Sequence, residues 1–475
     1  MITLDRLGPD SDAGGLHVTV AGIRLAGSAC ARALRGLGAE VVAVDAGNSP
    51  DHQRWAEELR ALGVVVELGD GTRLPQPTDL LVVSPGFPPG APIVRAALDA
   101  GVPVWGELEL AWRLRGPGAA PWLVITGTNG KTTTTLMLES MLQAAGLRAL
   151  AAANIGVSLV DAVLGPPLDA IAVEVGAPQL PFWHTPSPLA SVCLNVAPDH
   201  VDHFGSYEEY RAAKAKIYAR TQVAAVFNTA DPATERMVRD AEVVEGCRAI
   251  GFTLGVPGLS ELGVVEEFLV DRAFVENRAT HAQELALVSD VEPAAPHNVA
   301  NALAAAALAR AFGLEPAPIQ QGLRNFRPAG HRIARVGTVA GVDYVDDSKA
   351  TNAHAAGTSL RAYERVVWIA GGLAKGQEFD ELVVEHASRL RAVVLLGADR
   401  ARIRSALARH APQIPIYEVS DTDTEAMAEV VAAAADLAEP GDTVLLAPGC
   451  ASWDMFDNYS QRGAIFAEQV DRLAP

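Results

Sequence analysis

Cysteine is scarce: the 475 residues hold four, Cys30, Cys193, Cys247 and Cys450, far apart and with no paired spacing. That argues against a disulfide framework and a cysteine zinc site, and a reducing, cytoplasmic compartment is expected. Positive charge is outnumbered, 38 Lys and Arg against 57 Asp and Glu, for a net charge of −19. Such a balance disfavours nonspecific contact with nucleic acid or an anionic membrane, while leaving room for a local basic pocket that holds phosphates. Long apolar runs are missing too, since the Ala-rich stretch after Asn301 is interrupted by Arg310, so no membrane span is expected. The opening MITLDRLGPD carries acids and no apolar core, and no signal peptide is expected. Neither an internal repeat nor a low-complexity tract is present. What remains, 49% hydrophobic and 20% charged, is an ordinary globular composition, and at about 150 residues per domain the length implies three domains.

The stretch that organises the chain is PWLVITGTNGKTTTTLM, residues 121–137. Its apolar run Trp122 to Thr126 predicts a buried strand, Gly127, Asn129 and Gly130 break it, and Lys131 opens a helix. Glycines let backbone N–H groups turn toward an anion, the helix N-terminus adds positive potential, and a lysine followed by a hydroxyl reaches terminal phosphates and Mg²⁺. This is a phosphate-binding loop of a narrower kind than the usual one, with Ile125 where a first glycine is expected.

Upstream, LHVTVAGIRLAGSACARALRGLGAEVVAVDAG reads as strand, glycine turn, helix and strand, the opening of a Rossmann-like unit. Gly22 and Gly27 stand where the first and third fingerprint glycines belong, Arg24 replaces the second, and Asp45 closes the next strand. The loss of the middle glycine disfavours a dinucleotide-dependent dehydrogenase. Strands are predicted at 64–68 and 79–86, the latter ending in SPGFPPG, where Gly86 either turns the chain or approaches a ligand. GPGAAP, 116–121, reads as a linker. The central unit then alternates strands and helices, including DAIAVEV and ASVCLNV. Past FRPAGHR, the segments ERVVWIAGG, RAVVLLG, PIYEV and DTVLLAPG make a third α/β unit. The fold class is therefore α/β in three domains: Rossmann-like at 1–118, a P-loop ATPase-like, mostly parallel sheet at 119–327, and Rossmann-like again at 328–475.

Three groups carry possible chemistry. Glu174 ends an apolar strand, either reaching solvent or facing a cation held by Thr132. His200 and His203 are metal ligands, caps or plain loop residues. Lys214 shares a helical stripe with Tyr207, Tyr210 and Ile217, while Lys216 turns away. A lysine on an apolar face either snorkels out or needs a partner.

In order along the chain, TGTNGKT (126–132), Glu174, LNVAPDHVDHFG, RAAKAKIY, HNVANALAA (297–305), GHR (330–332), DDSKATN (346–352), GGLAKG (371–376) and LAPGCASWDMFDNYSQRG resemble the Mur ligase family. These are ATP-dependent amide-forming enzymes of peptidoglycan synthesis with UDP-sugar-, ATP- and amino-acid-binding domains. DDSKATN and CASWDMF are similar to the glutamate-adding branch, and the DNPR sequence of the diaminopimelate- or lysine-adding branch is missing. The resemblance implies that ATP is bound by Gly127, Thr128, Asn129, Gly130, Lys131, Thr132, Thr133, Asn298, Asn301, Arg332 and Asp347. It implies two Mg²⁺ ions, one on Thr132 and Glu174, the other on His200 and Lys214, with a carbamate on Lys214; Lys131, Glu174, His200 and Lys214 are then the catalytic set. Leu25, Asp45, Gly86, Asn154 and His200 fall where the family holds the UDP-sugar, and Thr351, Lys375, Ser452 and Tyr459 where it holds glutamate. The implied substrates are UDP-N-acetylmuramoyl-L-alanine and glutamate, joined through an acyl phosphate by a monomer. One stretch departs: EVGAPQL, 174–180, stands where the branch usually has ELSSFQL. That keeps open addition of L-glutamate or use of another acceptor, and a folylpolyglutamate-synthase-like ligase is the alternative within the superfamily.

Overall fold

The structure is a computed structural model, and it describes residues 3–199, 201–327, 330, 333–421 and 423–473, without the side chains of 201 and 202. His200 and Arg332, expected at the nucleotide and metal sites, lie outside the described residues. Three sheets carry the fold. The first joins β1 (His17–Ala21), β2 (Glu40–Asp45), β3 (Val65–Leu68), β4 (Leu80–Val83) and β5 (Val104–Gly106) in the order β3-β2-β1-β4-β5, all parallel. As expected of a Rossmann-like opening, Gly27 packs its helix directly on the β1 turn: a Cβ there would meet the Gly22 carbonyl oxygen at 1.7 Å.

The second sheet holds β6 (Trp122–Thr126), β7 (Ala149–Ala153), β8 (Ala170–Glu174), β9 (Ala190–Cys193), β10 (Ala224–Asn228), β11 (Arg248–Phe252), β12 (Glu261–Val265), β13 (Phe268–Asp271) and β14 (Gln283–Leu287). Their order is β14-β13-β12-β11-β10-β9-β6-β8-β7. Neighbours from β7 to β12 run parallel, and β6, β8 and β9 are buried along their length, as strands covered on both faces must be. The β12–β13–β14 meander is antiparallel and was not anticipated from the sequence. Its segments are four or five residues long and only partly buried, so they lack the continuous apolar run that marks the interior strands.

The third sheet takes β15 (Ala334–Val339), β16 (Val342–Asp346), β17 (Val366–Gly371), β18 (Leu390–Leu396), β19 (Ile416–Glu418) and β20 (Thr443–Leu446) in the order β15-β16-β20-β17-β18-β19. All pairs are parallel except the β15–β16 hairpin, a second element missed in the sequence.

Contacts gather the chain into two compact units, one of residues 1–196 and 203–326 with the first two sheets, the other of 197–202 and 327–475 with the third. Within the first unit, the N-terminal sheet is fastened to the central one by buried polar groups. Glu109 accepts hydrogen bonds from His184 N (3.0 Å), Thr185 N (2.8 Å), Thr185 Oγ1 (2.6 Å) and Arg113 Nε (2.7 Å). Burial alone would raise its pKa, but these bonds outweigh that and hold it below the usual glutamate value. Glu107 Oε1 accepts from Ser158 Oγ and Leu159 N, both at 2.7 Å, so a carboxylate beside the first sheet caps the helix Leu159–Leu164 beside the second. The stretch read as a linker is also clamped: the Arg115 guanidinium lies 3.9 Å from the Trp112 ring centroid and 5.5 Å from that of Trp122, and burial pulls its pKa down to about 10.

Candidate active site

In the first unit, β6 delivers its C-terminal end to the glycine loop, and the helix Lys131–Ala144 follows at once. Gly130 is the helix N-cap with φ +84°, a backbone that favours glycine. A Cβ there would also lie 2.4 Å from Asn301 Oδ1, so glycine is what lets the asparagine sit directly over the loop. Lys131 is half-buried rather than freely exposed, and its Nζ donates to the carbonyl oxygens of Gly127 (2.7 Å) and Thr128 (3.0 Å). Thr132 and Thr133 are buried in the first helical turn. Asn298 and Asn301 share a face of the helix Pro296–Phe312, with Asn301 Nδ2 3.4 Å from Asn298 Oδ1, and neither acts as that helix's N-cap.

One organising residue escaped the sequence reading. Asn195, just past β9, accepts from Asn129 N through Oδ1 (2.9 Å), donates to Asn129 O through Nδ2 (3.1 Å), and accepts from Thr128 N through its own carbonyl (3.0 Å). Thr128 Oγ1 is in addition 3.0 Å from the Tyr210 hydroxyl. The loop is thus fixed in shape by partners remote in sequence, a form of preorganisation that a phosphate site needs. The only sequence signal was position, an amide at the end of the strand beside β6.

Glu174 ends β8, 1% exposed. Its Oε1 accepts from Asn154 Nδ2 at 2.7 Å, and its Oε2 has no hydrogen-bond partner among the described residues. A buried carboxylate oxygen left without a donor suits a cation, and a hard divalent ion with oxygen ligands is the cation this donor set fits. Lys214 is 1% exposed on the helix Tyr207–Ala215, which starts at Ser206, whose Oγ accepts from Glu209 N. Its Nζ stands 4.8 Å from the Tyr210 ring centroid, so the lysine points inward, while Lys216 is exposed and reaches Pro181 O. Beyond Glu174, the departing stretch forms a short 3₁₀ turn, Ala177–Phe182, with Gln179 Oε1 accepting from Gly176 N at 2.8 Å.

The expected UDP-sugar residues of the first sheet cluster at its strand ends. Leu25 is exposed at the start of its helix, and Asp45 accepts from Ile23 N and Gly47 N, tying β2 to the glycine turn. Gly86 has open space where a side chain would be. Asn154 belongs instead to the central sheet, bonded to Glu174.

In the second unit, loops after β16, β17 and β20 converge. Asp347 is buried and accepts from Ser359 Oγ. Gly449 N donates to Ala350 O (2.8 Å), which brings the Thr351 and Ser452 loops together, and Lys349 Nζ donates to the Tyr459 hydroxyl (2.9 Å). Arg462, buried and with its pKa lowered to about 10 by that burial, bonds Ser348 and the Cys450 carbonyl and so ties the same loops together. Lys375 faces the Trp453 ring.

A phosphate loop on an interior strand of a largely parallel sheet, with one α/β sheet before it and another after it in the chain, is the architecture of an ATP-dependent amide-bond ligase. The chain belongs to the Mur ligase family. It matches the family profile of the Mur ligase middle domain over residues 125–309 and that of the Mur ligase glutamate ligase domain over 331–450. It is 60% identical to the "UDP-N-acetylmuramoylalanine--D-glutamate ligase" of Streptomyces avermitilis, over 97% of this chain and 98% of that one. It is 43% identical to the protein so named in Mycolicibacterium smegmatis, over 96% of each. Among solved structures, it resembles the UDP-N-acetylmuramate-alanine ligase MurC of Thermotoga maritima with a TM-score of 0.57 at 18% identity, over 96% of this chain and 99% of that one. The Escherichia coli FolC structure aligns over 74% of this chain and 89% of its own, with a TM-score of 0.52 at 19% identity. These structural likenesses concern the fold.

Proposed function

We propose that this chain joins D-glutamate to UDP-N-acetylmuramoyl-L-alanine at the expense of ATP, in the synthesis of peptidoglycan precursors. The observation that carries the reading is the 60% identity across 97% of the chain to a relative of that name. A carboxylate resists attack by an amine because its charge repels the nucleophile and an oxide leaves poorly. Phosphorylation by ATP turns it into an acyl phosphate, from which phosphate leaves when the neutral amine attacks. The residues divide that work. Gly127 to Thr133, with Lys131 at their head, are assigned to the ATP phosphates, where a fixed ammonium and oriented N–H groups stabilise charge as it is transferred. Asn298, Asn301, Arg332 and Asp347 are assigned to the rest of the nucleotide. Thr132 and Glu174 would hold one Mg²⁺, and His200 with a carbamoylated Lys214 a second; bound there, the ions supply charge neutralisation between phosphate oxygens. Buried Lys214 has reason to be modified, because a carbamate turns a costly inward ammonium into a ligand.

Leu25, Asp45, Gly86, Asn154 and His200 are assigned to the UDP-sugar, and Thr351, Lys375, Ser452 and Tyr459 to glutamate. Residues 1–118, 119–327 and 328–475 thus serve acceptor, ATP and amino acid. No helix among the described residues is long and apolar enough to cross a membrane, and a cytoplasmic monomer completes the proposal. The test is phosphate release from ATP with the purified protein over a panel of acceptors and amino acids. Release that requires the UDP-sugar acid together with D-glutamate supports the reading; preferred turnover with lysine or diaminopimelate overturns the amino-acid assignment, and preference for L-glutamate overturns its stereochemistry.

A further inference from the structure

Trp453 is 64% exposed, so burial does not account for its place. It follows β20 in the same loop as Ser452, and that loop is zipped to the one after β17 by two backbone bonds, Leu373 N to Ala451 O and Ala451 N to Leu373 O, both 2.9 Å. The approach is so close that a Cβ on Gly372 would come within 2.2 Å of Ala451 O. Two carboxylates fix the flanks: Asp399 Oδ2 accepts from Ala374 N and Asp454 Oδ2 from Ala398 N, both at 2.8 Å. Between these ties Lys375 adopts φ +49°, a left-handed backbone that costs a non-glycine residue energy and is kept only because its surroundings hold it. Its Nζ then stands 4.5 Å from the centroid of the Trp453 ring. Among the described residues Lys375 has neither a hydrogen bond nor an ion pair, so this ring is the group that restrains the end of the side chain.

We infer that Trp453 is a positioning residue for the amino-acid site: its indole face holds the Lys375 ammonium where it meets a carboxylate of the incoming glutamate. A lysine has a long flexible stem, and freezing it at the moment of binding costs affinity that prior restraint avoids. An ammonium over an aromatic face keeps N–H donors directed away from the ring, so stacking and carboxylate binding are compatible. The inference rests on the proposal above that Lys375 binds the amino acid.

The experiment compares Trp453→Leu, Trp453→Phe, Lys375→Ala and the Trp453→Leu/Lys375→Ala double variant, with KM for D-glutamate and for ATP, kcat and thermal midpoint measured for each. An exposed ring leaves the fold intact when removed, so the Leu variant should unfold like the parent. Its glutamate KM should rise about two- to fivefold, the size an exposed cation–π contact sustains, with ATP KM and kcat unchanged. Phe should restore most of the loss, and the double variant should be no worse than Lys375→Ala. A Leu variant with the parent's glutamate KM, or a rise that persists in full without Lys375, overturns the inference alone. A Lys375→Ala protein with an unchanged glutamate KM overturns the lysine's assignment and the inference with it.

Discussion

The phosphate loop and the amino-acid loops solve opposite problems with opposite means. Around Gly127 to Thr133 nearly every group is buried or bonded: Asn195 grips the Asn129 peptide on both sides, and Lys131 lies on the loop's own carbonyls. Around Lys375 the backbone is tied down, while the charged side chain is half-exposed and rests on an exposed ring. A site that stabilises charge in transfer gains from donors fixed before the reaction. A site that chooses an amino acid needs only differential contacts, each a modest fraction of the binding energy.

If that division is real, the largest loss should come at the loop. Lys131→Ala should lower kcat by roughly the effect of one preorganised donor, about 3 to 4 kcal/mol, with UDP-sugar binding and thermal midpoint kept; steady-state kinetics with a binding titration check this, and near-parental turnover would remove the loop from the chemistry. Lys214→Ala should be nearly as severe and partly rescued by short carboxylates, whereas Lys216→Ala behaves almost normally. An intact mass showing an unmodified Lys214 amine in a fully active preparation would refute the carbamate. Lys375→Ala sharpens the contrast from the other side, raising the glutamate KM by about 1.5 to 3 kcal/mol, the worth of a charged hydrogen bond, while the ATP KM stays put.

The smallest effect concerns stability of the second unit alone. His386 is buried, and burial pushes its pKa below the ordinary 6.5 despite the opposing pull of Glu385. The unfolded chain therefore takes up a proton that the folded one resists, so this histidine contributes stability above about pH 6.5 that is lost as pH falls toward and through the depressed folded value. His386→Phe should flatten that part of the stability-against-pH curve by a fraction of its slope, as read from urea melts between pH 5 and 8; an unchanged slope would show that the ring does not titrate there.

Much of this was legible before the structure, for a physical reason. The phosphate loop is local: strand, glycines, lysine and hydroxyls are contiguous, and backbone chemistry demands them in that order. Lys214 was visible through helical spacing with Tyr207, Tyr210 and Ile217, and it is indeed buried. Asn195 was not, because its partner Asn129 lies 66 residues away and the pair meets only once β9 lies beside β6. Nor did GPGAAP reveal its clamp, since the placing of Arg115 over Trp112, which itself meets Trp122 edge-on, depends on where β6 begins. The β12–β14 meander and the β15–β16 hairpin were lost because these are short segments without a long apolar run, and pairing, rather than composition, makes them strands.

The central claim, that the acceptor's carboxylate is itself phosphorylated before the amine attacks, has a direct measurement. UDP-N-acetylmuramoyl-L-alanine labelled with ¹⁸O in its terminal carboxylate is turned over with ATP and D-glutamate, and the released phosphate is analysed by mass. An acyl phosphate predicts one labelled oxygen carried into each phosphate; phosphate free of label, with amide still formed, would contradict the account.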